Sequence, residues 1–223
     1  MSEYVTLRAA DGHELSAYVA RPAGEPFAAL VVVQEIFGVN AHIRSVADGY
    51  AKDGFLAVAP ALFDRIERGV ELGYDGVDAE KARSFIPKLD IDKGVADVQA
   101  AIDFAAVDSG KKVGVIGYCY GGTLAWLAAT RLRPAAAVGY YGGQIAKFAS
   151  ENPLVPVMLH FGKQDAHIPA DSIEKVHVAH PEVEIYWYEA GHGFNCDARA
   201  SFNAAAANEA RGRSLAFLRR HLA

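Results

Sequence analysis

Short apolar runs recur along the chain, separated by stretches where apolar residues return every third or fourth place. The runs read "AALVVVQE", "FLAVAP", "KVGVIG", "AAAVGYYGG", "VPVMLHFG" and "VEIYWYEA". Continuous and rich in β-branched residues, they predict strands covered on both faces. Residues 5–8 and 14–21 instead alternate apolar and polar positions around Asp11-Gly12, which predicts an antiparallel hairpin. Ile43, Val46, Ala47, Tyr50 and Ala51 keep helical spacing, and Gly54 stops that helix. Ile91, Val95, Val98, Ile102 and Ala105 mark one face of another. Further helices are expected over 121–131, 173–178 and an alanine-rich 199–222. The glycine- and charge-rich stretch 64–78 is expected to be loop. Strands alternate with helices, so the fold class is α/β: a mostly parallel sheet, helices on both faces, after an N-terminal antiparallel hairpin. With no internal repeat or linker, residues 1–223 read as one domain.

Composition narrows the picture. At 52% apolar and 22% charged residues, the 223-residue chain can bury a sizeable core and is not disordered. A net charge of −5 offers no footprint for nucleic acid. The start "MSEYVTLRAADGHELS" does not read as a signal peptide, and no apolar run is long enough to span a membrane. The two cysteines, Cys119 and Cys196, form no C-x-x-C pair and suit a reducing compartment, so a cytoplasmic location is expected.

In a parallel sheet, chemistry sits beyond the carboxyl ends of the strands. Those ends carry Glu35, Cys119, Asp165 and His192. Nucleophile, acid and histidine come in the chain order of the α/β-hydrolases. Gly117-Tyr118-Cys119-Tyr120-Gly121 places a cysteine at the serine position of a G-x-S-x-G nucleophile elbow. There the strand-to-helix turn is so tight that side chains two residues either side of the nucleophile collide. The sulfur also lies at a helix N-terminus, which favours a thiolate.

Other residues compete for these roles. His13, His177, His180 and His221 fall in segments read as surface, and Cys196 in a plain loop. His167 shares the Asp165 loop; with Asp165 and His160 it resembles a metal cluster, but the spacing matches no common ligand pattern. Asp171 is explained as a first-turn helix acid. Glu35 ends a buried strand and needs a partner, either an arginine or the cysteine itself.

The segments "QEIFGVN", "GYCYGG", "VGYYG", "GKQDAHIPA" and "YEAGHGF" together resemble the dienelactone hydrolases, also called carboxymethylenebutenolidases, over essentially the whole chain. That resemblance implies an α/β-hydrolase fold and hydrolysis of small lactones or esters without cofactor or metal. It implies Cys119 as nucleophile, Asp165 as orienting acid and His192 as base. Glu35 is then the acid contacting the cysteine in the resting enzyme, and the N–H groups of Ile36 and Tyr120 form the oxyanion hole. Dienelactone-specific members hold a substrate carboxylate with two arginines, where this chain has Ala79 and Cys196; Arg83 and Arg199 are the nearby substitutes. A general carboxylesterase of the same fold is the alternative, as a monomer or small homo-oligomer. A class I glutamine amidotransferase shares the Gly-x-Cys-x-Gly turn and a His-Pro-Glu triplet, here His180-Pro181-Glu182, but leaves Glu35, Asp165 and His192 unused. A non-catalytic thiol or ligand-binding domain is the remaining reading.

Overall fold

The structure is a computed structural model that describes residues 2–223. It begins with the antiparallel pair β1 (Ser2–Arg8) and β2 (Glu14–Ala20), joined through a turn at Gly12 with φ of 85°. Strands β3 (Ala28–Val33), β4 (Phe55–Pro60), β5 (Val113–Tyr118), β6 (Ala136–Tyr140), β7 (Val157–Gly162) and β8 (Glu184–Tyr188) follow. All eight form one sheet in the order β1-β2-β4-β3-β5-β6-β7-β8, parallel from β4 onward and antiparallel across β1, β2 and β4. Every residue of β3, β4, β5, β6 and β7 is buried, as their continuous apolar runs require.

The helices are α1 (Ala41–Lys52), α2 (Gly76–Phe85), α3 (Ile91–Ser109), α4 (Tyr120–Leu127), α5 (Ala170–Ala179) and α6 (Ala204–Leu222). Side chains of Asn40, Asp90 and Asn203 accept from the third helical N–H of α1, α3 and α6. These caps satisfy donors that a helix start leaves free. Gly110 ends α3 in the left-handed region at φ of 65°. Helix α3 packs on α4 over the middle strands, and Arg211 of α6 reaches Asp53 beyond α1 at 2.6 Å. Helices thus cover both faces.

Three expectations shift. Part of the stretch read as loop over 64–78 is helical, because α2 starts at Gly76 and a short 3-10 turn covers Leu62–Arg65. Glycines masked the weak apolar stripe Ala79, Ala82, Phe85 that α2 buries. The closing helix starts at Ala204, not near 199, since Asn203 caps it. His180 is buried rather than a surface residue; it sits against Trp126 and binds the Ala149 carbonyl at 2.7 Å.

His160 lies fully buried on β7, within 2.8 Å of Tyr188 Oη and 2.9 Å of Ser214 Oγ. Burial, aided by the Arg213 charge, pushes its pKa from 6.5 down to about 3. The folded chain therefore keeps His160 neutral while the unfolded chain protonates it below about 6.5. That part of the stability is complete above about 6.5 and drains away as the pH falls through about 3. Thermal melts at a series of pH values should show a flatter acid limb in His160→Gln than in the wild type. Equal slopes in the two proteins would contradict this.

Candidate active site

The carboxyl ends of β3, β5, β7 and β8 bring four of the residues together. Cys119 follows β5 directly, with φ of 54° and ψ of −112°, and begins α4. The flanking glycines make this turn possible. A Cβ on Gly117 would lie 1.9 Å from the Gly121 carbonyl oxygen, and one on Gly121 would lie 2.3 Å from the Val33 oxygen. Neither position has room for a side chain. Two backbone bonds fix the elbow against its neighbours: Cys119 N–H donates to Tyr140 O at 3.0 Å and Gly121 N–H to Gln34 O at 3.0 Å. The second ties the end of β3, and with it the start of the segment carrying Glu35 and Ile36, to the elbow. The N–H of Ile36 has no backbone acceptor among the described residues, and Tyr120 opens α4, where a helix leaves its first N–H groups free.

His192 follows β8 and lies between the acid and the thiol. Its Nδ1 is 2.7 Å from Asp165 Oδ2 and its Nε2 is 3.3 Å from Cys119 Sγ. The other oxygen of Asp165 accepts the His167 N–H at 2.8 Å, so the carboxylate is held on both sides. Burial opposes a charged imidazole here, yet the Asp165 carboxylate and the Cys119 sulfur outweigh it and lift the pKa of His192 to about 10. For Asp165, burial pulls upward, and the bond to His192 and the His167 amide together hold it below its ordinary value. The trio Asp165, His167 and His160 is not a ligand set: Asp165 is engaged with His192, and His160 is spent on Tyr188 and Ser214. His167 instead sets its ring edge-on to His192, with centroids 5.4 Å apart.

Glu35 is fully buried. Its Oε1 meets Arg199 Nη1 at 3.3 Å, while Oε2 is buried without a partner. The expected resting contact between Glu35 and the cysteine is therefore replaced by two separate pairs, Glu35 with Arg199 and Cys119 with His192. The physical reason is that a buried carboxylate gains most from a cation, and Arg199 supplies one. The guanidinium also lies over the rings of Phe37 and Tyr74, at 5.7 and 5.8 Å from their centroids. Arg83 does not join this group. It is exposed on α2, and its side chain has no hydrogen-bond or ion-pair partner among the described residues.

Tyr141 was not singled out from the sequence. It follows β6 with φ of 38°, an unusual conformation for a bulky residue. Its ring is 5.1 Å from that of His192, and its hydroxyl is buried without a partner. The doubled tyrosine at a strand end, "GYYGG", is the signal that could have marked it.

A cysteine elbow, a histidine and an acid on a sheet of this order can be compared with known proteins. Residues 15–222 match the profile of the "Dienelactone hydrolase family". The chain belongs to that family. It is 38% identical over 227 residues to the carboxymethylenebutenolidase of Pseudomonas putida, covering 98% of this chain and 96% of the other. A carboxymethylenebutenolidase of Cupriavidus pinatubonensis is 31% identical, with 98% and 97% covered. A Klebsiella pneumoniae crystal structure, provisionally named a dienelactone hydrolase, superposes with a TM-score of 0.84 at 29% identity and covers 97% of this chain and 98% of its own. A dienelactone hydrolase-like promiscuous phosphotriesterase from metagenomic libraries gives 0.79 at 20% identity, covering 99% and 98%, a likeness of fold alone. This dienelactone hydrolase family member is thus an enzyme of the hydrolase class with an α/β-hydrolase fold. No helix among its described residues is long and apolar enough to cross a membrane.

Proposed function

We propose that the enzyme opens small lactones and carboxylic esters through a thioester on Cys119. The observation that carries this is the continuous chain Asp165–His192–Cys119, at 2.7 and 3.3 Å, ending on a strained elbow. His192 holds or takes the thiol proton, and the sulfur attacks the ester carbonyl. Negative charge collects on the carbonyl oxygen, where the N–H groups of Ile36 and Tyr120 are the expected donors. Losing one such donor costs about 3 kcal/mol in comparable sites. The tetrahedral adduct collapses, the C–O bond breaks, and His192 passes its proton to the departing oxygen. Water then attacks the thioester; His192 accepts a proton from it and the thiol is released. Asp165 fixes the ring and offsets its charge throughout. None of these steps draws on a cofactor.

The glutamine amidotransferase reading is disfavoured, because His180 of its triplet is already bound to the Ala149 carbonyl. Hydrolysis of p-nitrophenyl acetate, with no ammonia released from glutamine and an acyl mass adduct on Cys119, tests the proposal. Turnover without an adduct on Cys119 under rapid acid quench would contradict the thioester.

The geometry also bears on substrate charge. Of the two substitute arginines, Arg83 is turned to solvent and Arg199 is partly neutralised by Glu35. A charge-assisted hydrogen bond is worth about 1.5–3 kcal/mol, and each 1.4 kcal/mol is roughly tenfold. With one offset cation, kcat/KM for a dienelactone carboxylate should exceed that for its methyl ester by less than about tenfold. Arg199→Ala should remove what preference there is, and Arg83→Ala should leave it unchanged. A preference above about 100-fold that Arg83→Ala abolishes would show that the acid pocket is intact and that Arg83 serves it.

A further inference from the structure

Outside the catalytic group, one cluster of side chains has metal-binding chemistry without any role in hydrolysis. His42, the second residue of α1, meets Cys196 and Asp197 from the loop between His192 and Arg199. One ligand atom from each lies within 4.8 Å of the other two. We propose that these three residues form a site for a borderline-soft divalent cation such as zinc, tying the loop that follows His192 to the start of α1.

The donor set is the first reason. Thiolate, imidazole and carboxylate are the three ligand types that zinc takes, at about 2.3, 2.0–2.1 and 2.0–2.2 Å. Around a tetrahedral ion these lengths place donor atoms about 3.2–3.6 Å apart. His42 Nδ1 and Asp197 Oδ1 are already 2.9 Å apart, so that pair needs to open only slightly. The longest gap in the cluster is at most 4.8 Å, so it must close by roughly 1 Å. Asp197 is the flexible member, with 70% of its side chain exposed, whereas His42 is buried on α1 and Cys196 is buried in its loop with its N–H on the Gly193 carbonyl at 2.9 Å.

The second reason is independent of spacing. The His42 side chain is only 6% exposed, yet its other ring nitrogen, Nε2, is buried without a hydrogen-bond partner. With Nδ1 as the ligand atom, Nε2 stays outside the coordination sphere, and the imidazole comes to the site already buried and oriented by Asp197. His42 and Asp197 also line a cavity of about 210 Å³ beside α1 and α6, which gives an ion a way in. The fourth position would be filled by water from it. Binding exchanges the Cys196 S–H bond for a metal–sulfur bond and releases one proton to solvent. The Arg199–Glu35 pair lies nearby, but its charges largely cancel.

Cobalt(II) reports such a site directly, because a bound thiolate gives an intense near-ultraviolet charge-transfer band. Cys119 and His192 are themselves a thiol–imidazole pair, so the titration uses chelator-treated Cys119→Ala. The expected result is about one equivalent of cobalt bound, displaced by zinc, with the thiolate band present. Adding Cys196→Ala should abolish the band, and His42→Ala should weaken binding at least tenfold. Cys196→Ser, of nearly the same shape, covers the event that the alanine variant does not fold; it should lose the band while melting like its parent. The proposal is overturned if Cys119→Ala shows no band at millimolar cobalt. It is equally overturned if the band survives in Cys196→Ser, or if the wild type shows a band that depends on Cys119 alone.

Discussion

Cys119→Ala should lose about 10⁴-fold or more in kcat for p-nitrophenyl acetate, the scale seen when a triad nucleophile is removed. Cys196→Ala should keep most of the wild-type rate. The contrast follows from setting, not from residue type. Cys119 stands on the elbow with its sulfur 3.3 Å from an imidazole, while Cys196 is buried away from His192, and burial pushes its pKa up to about 11. A thiol in that second state is a poor nucleophile at neutral pH. Iodoacetamide should accordingly silence the wild type and the Cys196 variant alike. Near wild-type turnover in Cys119→Ala would end the covalent mechanism.

Asp165→Asn should cost a comparable factor, on the order of 10⁴ in kcat, with little change in fold. An asparagine can place an amide N–H against His192 Nδ1 and so reverse the tautomer that faces the sulfur. It also removes the largest influence that favours the imidazolium. Burial, which works the other way, would then meet only the contribution of Cys119, and the ring should lose its proton at a pH well below about 10. An NMR titration of His192 in both proteins measures this apart from activity. An unchanged titration with full activity would show that Asp165 is a structural residue only.

The chain announced its strands because buried parallel strands are nearly uniform in hydrophobicity; β3 and β5 were legible for that reason. The elbow was legible because two backbone clashes leave glycine alone at 117 and 121, and such constraints write themselves into sequence. Helix α2 was not, since its buried stripe is two alanines and one phenylalanine among glycines and charges. The partner of Glu35 was left open between an arginine and the cysteine, because nothing local to "VVVQE" says which group crosses from a loop 164 residues later. Tyr141 and the His42–Cys196–Asp197 group were missed for the same reason: each matters through neighbours that only the folded sheet supplies.

The order in which the sheet is written has a consequence for a chain emerging from the ribosome. Strand β3 pairs with β5 only after the intervening segment, with α1, β4, α2 and α3, has been made. The sulfur is then set on its turn, but its imidazole partner lies 73 residues further on. A growing polypeptide can therefore assemble β1 to β6 around an elbow thiol that has no base beside it. Once β8 and the following turn are laid down, the two meet, and the acid of β7 is already waiting. Synthesis stalled before His192 would leave Cys119 without its imidazole neighbour, so on the proposed mechanism the nucleophile is completed last.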